Sequence, residues 1–199
     1  MTGVTIPDDL PFAGWPKIAR LNREIVITEK IDGTNSAVII REDGRIHAQS
    51  RNRFIAPGQD NHGFAAWVQK EEEFLKDTLG VGTHYGEWWG QGIARKYKMD
   101  HKVFSVFNTH RWGAILEENE EARSHGLDVV PVLYQGLFST DAIDQALWDL
   151  EDYGSQATPP YDIDFMDPEG VVIFHTAANE MFKITLKNDE APKSQVKVA

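Results

Sequence analysis

Short apolar runs separated by turn residues set the pattern of the chain. Ile25, Val26 and Ile27 lead into Glu29-Lys30-Ile31-Asp32-Gly33-Thr34-Asn35, and Ala37, Val38, Ile39 and Ile40 lead away from it. Two apolar runs around an Asp-Gly step predict a buried β-hairpin that turns at Asp32-Gly33, the glycine supplying a backbone conformation that other residues adopt reluctantly. Glu42-Asp43-Gly44 predicts a second turn, and Arg45 to Ser50 a third strand ending at Arg51-Asn52-Arg53. Phe64, Trp67, Val68, Phe74 and Leu75 surround a charged run, Lys70 to Glu73, and predict an amphipathic surface helix over 64–79.

Downstream, strands are predicted at His84 to Gly90, Val103 to Phe107, Val129 to Tyr134, Glu169 to Phe174 and Met181 to Leu186. Helices are predicted over 114–124 and 140–153, the latter starting at Thr140 or Asp141, with a Pro159-Pro160 loop between residues 154 and 167. In the last strand Lys183, Thr185 and Lys187 share a face opposite Phe182, Ile184 and Leu186. Residues 1–22 carry Pro7, Pro11 and Pro16 and read as a lead-in whose Phe12 and Trp15 are expected to cover the core; 188–199 read as a polar tail. The expected organisation is one α+β domain over 1–199, with antiparallel sheets around a cleft, helices outside, and no separate C-terminal domain.

Composition narrows the chemistry. With 199 residues and no cysteine, thiolate catalysis, disulfide frameworks and thiolate zinc sites are excluded. No apolar run approaches the roughly 20 residues of a membrane helix and the start lacks a targeting pattern, so a soluble cytoplasmic protein is expected. A net charge of -11 argues against holding nucleic acid by bulk attraction. Any contact with RNA or DNA has to use a local patch, for which Arg95, Lys96 and Lys98 are the best local candidates; the alternative there is a solvated loop.

Lys30, at the end of an apolar strand, is the candidate nucleophile. A lysine near its ordinary pKa of ~10.4 has no lone pair at neutral pH, so a nucleophilic one is expected in a cleft with other basic groups. Strand ends elsewhere offer Arg51, Glu87, Glu169 and Lys183 in that order. Taken alone, Glu87 reads equally as a partly exposed strand glutamate or a site carboxylate, and the phenylalanines of 103–107 as core or as a base-stacking ring.

The order and spacing of these strand ends over residues 24–188 resemble the covalent nucleotidyltransferase superfamily, and Glu29-Lys30-Ile31-Asp32-Gly33-Thr34-Asn35 is most similar to ATP-dependent RNA ligases of the phage T4 RNA ligase 2 type. The resemblance implies an ATP-grasp-like ligase adenylation domain built around a nucleotide cleft. It implies that Lys30 forms a covalent lysyl-AMP, with Glu29, Ile31, Asn35 and Arg51 contacting the nucleotide. Glu87 would hold the ribose and Phe107 stack on adenine. Glu169, opening Glu169-Gly170-Val171-Val172, would help place a metal ion and the phosphate, and Lys183 would bind the α-phosphate. ATP with magnesium or manganese and RNA carrying 5′-phosphate and 3′-hydroxyl ends are the implied cofactors and partners. Thr185 stands where a second lysine is usual, dividing the α-phosphate role between Lys183 and Lys187, and Asn108 replaces an aspartate after Phe107. The rivals are a capping-type guanylyltransferase, a DNA ligase and a non-catalytic module that binds nucleotides or nucleic-acid ends.

Overall fold

Buried and exposed residues alternate along the first strand, β1 (Glu24–Lys30), and this alternation sends Ile25, Ile27 and Glu29 to one face and Val26, Thr28 and Lys30 to the other. The computed structural model describes residues 6, 9–60, 62–158, 165–187 and 189. The predicted turn loop and tail are thus covered only in part, with residues 159–164 and most of 188–199 outside the described residues.

β1 does not form a hairpin with β2 (Thr34–Ile40). β1 lies between β9 (Gly170–His175) and β8 (Val132–Leu137) in a four-stranded sheet with β10 (Glu180–Thr185), ordered β10-β9-β1-β8. β2 lies in a six-stranded sheet with β3 (Ile46–Ser50), β4 (Phe54–Ile55), β5 (Gly82–Gly90), β6 (Lys102–Val106) and β7 (Leu127–Val129), ordered β4-β3-β2-β5-β6-β7. Asp32-Gly33 is therefore the crossover between two sheets. Ile31 is drawn into an apolar cluster with Trp89, Tyr97 and Val103 that joins the sheets, which pulls the chain off the hairpin path. Gly33 is required by close approach, since a Cβ there would lie 2.5 Å from the Trp88 carbonyl oxygen; its φ is not positive, so no turn conformation calls for it.

Each sheet has its own apolar layer on the far side from the other. The six-stranded sheet packs Val38, Trp88, Phe104 and Val106 against α1 (Phe64–Lys70), α2 (Glu72–Leu79), α3 (Thr109–Leu116) and α4 (Glu120–Ser124). The four-stranded sheet packs Ile25, Ile27, Val171 and Ile173 against α5 (Thr140–Tyr153). The single helix predicted over 64–79 is broken at Glu71, whose buried carboxylate accepts from Lys70 Nζ and His125 Nδ1, both at 2.6 Å. The helix predicted from 114 begins at Thr109 because Asn108 caps it, accepting from the Arg111 N–H at 3.0 Å. Ser139, one residue before the predicted start, caps α5. The predicted strand over 129–134 is two strands divided at Val130-Pro131, and β7 pairs parallel with β6, so the larger sheet is mixed at its edge. Phe12 and Trp15 do not cover the core; both are almost fully exposed, on a stretch with no regular pairing partner for its backbone.

Candidate active site

The faces that remain, Val26-Thr28-Lys30 on one sheet and Asn35-Glu87 on the other, form two walls that close where the chain crosses between sheets. Register places Lys30 opposite Gly170. Lys30 Nζ then donates to Glu169 Oε2 at 2.5 Å, with the lysine side chain only 17% exposed. Gly170 permits this approach of strands: φ is +147° and a Cβ would meet the Ile184 carbonyl oxygen at 2.1 Å.

On the opposite wall Asn35, Glu87 and Ser105 form one row across β2, β5 and β6. Glu87 is buried; its carboxylate accepts from Asn35 Nδ2 at 2.8 Å and the Gly33 N–H at 3.1 Å. Burial pushes Glu87 up to about 7, against the opposing pull of Lys30 and these two hydrogen bonds. Four of the candidate residues, Lys30, Asn35, Glu87 and Glu169, are thus brought together. The immediate neighbours of Lys30 are carboxylates and not the cations that its chemistry predicted, because the cationic candidates sit further along the walls.

Lys183 pairs with Val172, which pairs with Thr28, so it lies on the same wall as Lys30, one row out, and exposed. Lys187 is engaged elsewhere, its Nζ donating to Asp167 Oδ1 at 2.6 Å. Thr185 donates to the Lys187 carbonyl at 3.1 Å. Phe107 follows β6 on the Asn35-Glu87 wall and is 42% exposed at its rim. Arg51 follows Ser50, the residue paired with Ser36, and is exposed at the Asn35 end of the sheet. Glu29 and Ile31 turn their side chains away. Ile31 is in the apolar cluster between the sheets, and Glu29 accepts from Ser155 Oγ at 2.6 Å and from the Gln156 and Ala157 N–H groups at 2.7 and 3.1 Å. Burial outweighs these donors and pushes Glu29 up to about 7. What these two residues can offer a nucleotide is main chain.

The basic run 95–98 is neither a solvated loop nor an open phosphate patch at Arg95. Arg95 Nε donates to Asp32 Oδ2 at 3.2 Å, and its Nη1 reaches Asp167 Oδ2 and the Asp167 carbonyl, both at 2.8 Å. One guanidinium therefore ties the crossover after Lys30 to the segment leading into Glu169. Tyr97, buried, accepts from the Asp32 N–H at 2.7 Å. To present both, residues Lys96 to Lys98 adopt a left-handed turn, with φ of 62°, 49° and 52°, a conformation costing roughly 1–2 kcal/mol per residue. Burial raises the Tyr97 phenol, while Lys187 and Arg95 overcome partial burial to hold Asp167 below the usual carboxylate range. Sequence reasoning missed this clamp. Its available signal was a basic run in the same chain as acids flanking both motifs, Asp32 and Asp167.

Among the described residues, no three His, Asp or Glu side chains gather into a metal cage. The Glu169 carboxylate beside Lys30 is a single oxygen donor of the kind hard cations take.

The RNA ligase family model matches residues 23–187. The chain belongs to the RNA ligase family. Its fold matches solved RNA ligase structures from Naegleria gruberi: one mutant with ATP and Mn at 17% identity and a TM-score of 0.58, covering 84% of this chain and 51% of that one. A second mutant, with AMP and Mn, matches at 19% identity and TM-score 0.55, covering 82% and 49%; a third, with ATP and Mn, at 18% and 0.57, covering 84% and 51%. This RNA ligase family member spans about half the length of the Naegleria chains. No curated protein matches it in sequence. Among the described residues no helix is long and apolar enough to cross a membrane.

Proposed function

We propose that this chain is the adenylyltransferase domain of an ATP-dependent RNA ligase, and that Lys30 is its nucleophile. The observation that carries the reading is Lys30 Nζ lying 2.5 Å from Glu169 Oε2 at the closed end of a cleft whose other wall presents Glu87 and Asn35. All of this lies within residues 23–187, the stretch matched by the family model, and the Naegleria ligases were solved with ATP, AMP and Mn.

In this reading the Lys30 amine attacks the α-phosphorus of ATP. The new P–N bond forms as the bond to the bridging oxygen breaks, and pyrophosphate carries away that electron pair. The proton that Lys30 must lose already has an acceptor in Glu169. Glu87, held by Asn35 and the Gly33 N–H, presents hydrogen-bonding capacity to the ribose, and Phe107 presents a ring face to adenine. Lys183 offsets charge on the α-phosphate; Lys187, tied to Asp167, serves the clamp. Magnesium or manganese, held by Glu169 together with the nucleotide phosphates, supplies further charge neutralisation when bound. AMP then passes to a 5′-phosphate on RNA, and a 3′-hydroxyl displaces it to seal the strand.

Sealing is tested with 5′-phosphorylated oligonucleotides, ATP and magnesium, read on a denaturing gel. Joined RNA and unjoined DNA are expected. Protein that takes up AMP yet joins no RNA, whether offered nicked or single-stranded, would contradict the sealing step alone.

A further inference from the structure

Beyond the Glu87 row, the wall of the six-stranded sheet continues outwards in rows set by the strand register. Gln49 pairs with both Phe54 and Ala37, and Ala37 pairs with Tyr85, so Phe54 and Tyr85 stand in one row on one face. His47, one row further out, meets Phe54 edge to face with ring centroids 6.4 Å apart, which confirms that they share that face. Burial falls away along β5 on this side, from Trp89 and Glu87, both buried, to Tyr85 at 59% exposed; Phe54 is 69% exposed. Isolated exposed rings need no explanation. Two exposed rings in one row, continuous with the Glu87 row, do.

Their surroundings indicate what covers them. In a chain with 31 acidic residues, the Phe54-Gln49-Ala37-Tyr85 row and the His47-Ile39-Thr83 row beyond it carry no carboxylate. Aromatic rings in rows without a carboxylate have the chemistry of single-strand recognition, where bases stack on aromatic side chains. Tyr85 and Phe54 are separated by three strand spacings, about 14 Å, so they address different bases.

We propose that Tyr85 and Phe54 form a stacking track that guides a single-stranded RNA end along the six-stranded sheet towards Lys30. The proposal rests on the ligase reading above, and it adds unpaired RNA as the substrate form that this wall receives.

The test is fluorescence anisotropy with a dye-labelled, 5′-phosphorylated single-stranded oligoribonucleotide, using the full chain and the variants Tyr85→Ala, Phe54→Ala and the double variant. Adenylate attachment is followed in parallel by intact mass. Each alanine is expected to weaken binding about tenfold and the pair more than either alone, with attachment unchanged. Tyr85→Phe and Phe54→Tyr are expected to restore affinity, because stacking needs a ring and not a hydroxyl. Wild-type affinity in the double variant, failure of the ring-for-ring substitutions to rescue, loss of adenylate attachment in either alanine variant, or a ring-dependent self-association would each overturn the track. If wild-type protein takes up no AMP but binding still depends on the two rings, the ligase reading fails and the track survives.

Discussion

On the four-stranded sheet the cleft face carries lysines, Lys30 at the closed end and Lys183 one row out, with Glu169 hydrogen-bonded to Lys30. On the six-stranded sheet the facing residues are Asn35, Glu87 and Ser105, followed by exposed rings. In the proposed function one wall supplies charge for the phosphate end of a nucleotide, and the other supplies hydrogen bonds and flat faces for its sugar and base. The division explains why neither sheet alone is a site. It also explains the clamp: Arg95, carried after β5 on one sheet, grips Asp167 on the approach to β9 of the other, and so fixes the spacing between walls.

Breaking the charged wall has the largest consequence. Lys30→Ala is expected to abolish adenylate attachment while circular dichroism and melting behaviour stay close to wild type, since the side chain packs in the cleft and not in either apolar layer. Glu169→Ala and Glu87→Ala test one residue from each wall, and each is expected to slow attachment on the order of a hundredfold in single-turnover assays. An unchanged rate in either variant removes that residue from the site.

The two lysines of the last motif sharpen the contrast further. Lys183 faces the cleft and Lys187 the clamp, so Lys183→Ala is expected to cost at least tenfold more in attachment rate than Lys187→Ala. The reverse order would move the phosphate contact to Lys187. Arg95→Ala is expected to lower attachment about tenfold by loosening the spacing and to cost roughly 2 kcal/mol in urea unfolding. Arg95→Lys should not rescue it, because an ammonium group lacks the fork that reaches Asp32 and Asp167 together.

Much of this was legible in the sequence. Apolar runs located most strands, and the polar residues at their ends offered Lys30, Glu87 and Glu169, because strand periodicity and turn chemistry are local properties; Asn35 came only from the family resemblance. Which strands pair is not local. The Asp32-Gly33 step has the composition of a hairpin turn, and only the burial of Ile31 between sheets and the passage of Gly33 over the Trp88 carbonyl reveal a crossover. The Arg95 clamp was hidden for the same reason: its partners lie 63 and 72 residues away in sequence. Glu29 beside Lys30 invited a nucleotide role, whereas strand alternation turns it to the opposite face and onto residues 155–157.

The smallest effect on adenylate attachment is expected at Glu29, whose consequence is for folding. Its carboxyl sits at about 7 when folded against an ordinary 4.5, so the folded state holds the proton more tightly than the unfolded state. Stability contributed by this group is therefore greatest below pH 4.5 and is lost as pH rises to about 7, by roughly 3 kcal/mol. Glu87 adds a contribution of the same sign over the same window. Glu29→Gln should flatten the fall in urea midpoints between pH 4.5 and 7; an identical slope in the variant would place the titration elsewhere.

The most direct measurement is intact-protein mass spectrometry of the wild type, first treated with pyrophosphate to clear any preloaded AMP, then incubated with magnesium and either ATP or GTP, beside Lys30→Ala. The account predicts a mass gain of one AMP in the wild type with ATP alone. A gain with GTP only, a gain that persists in Lys30→Ala, or no gain with either nucleotide would contradict it.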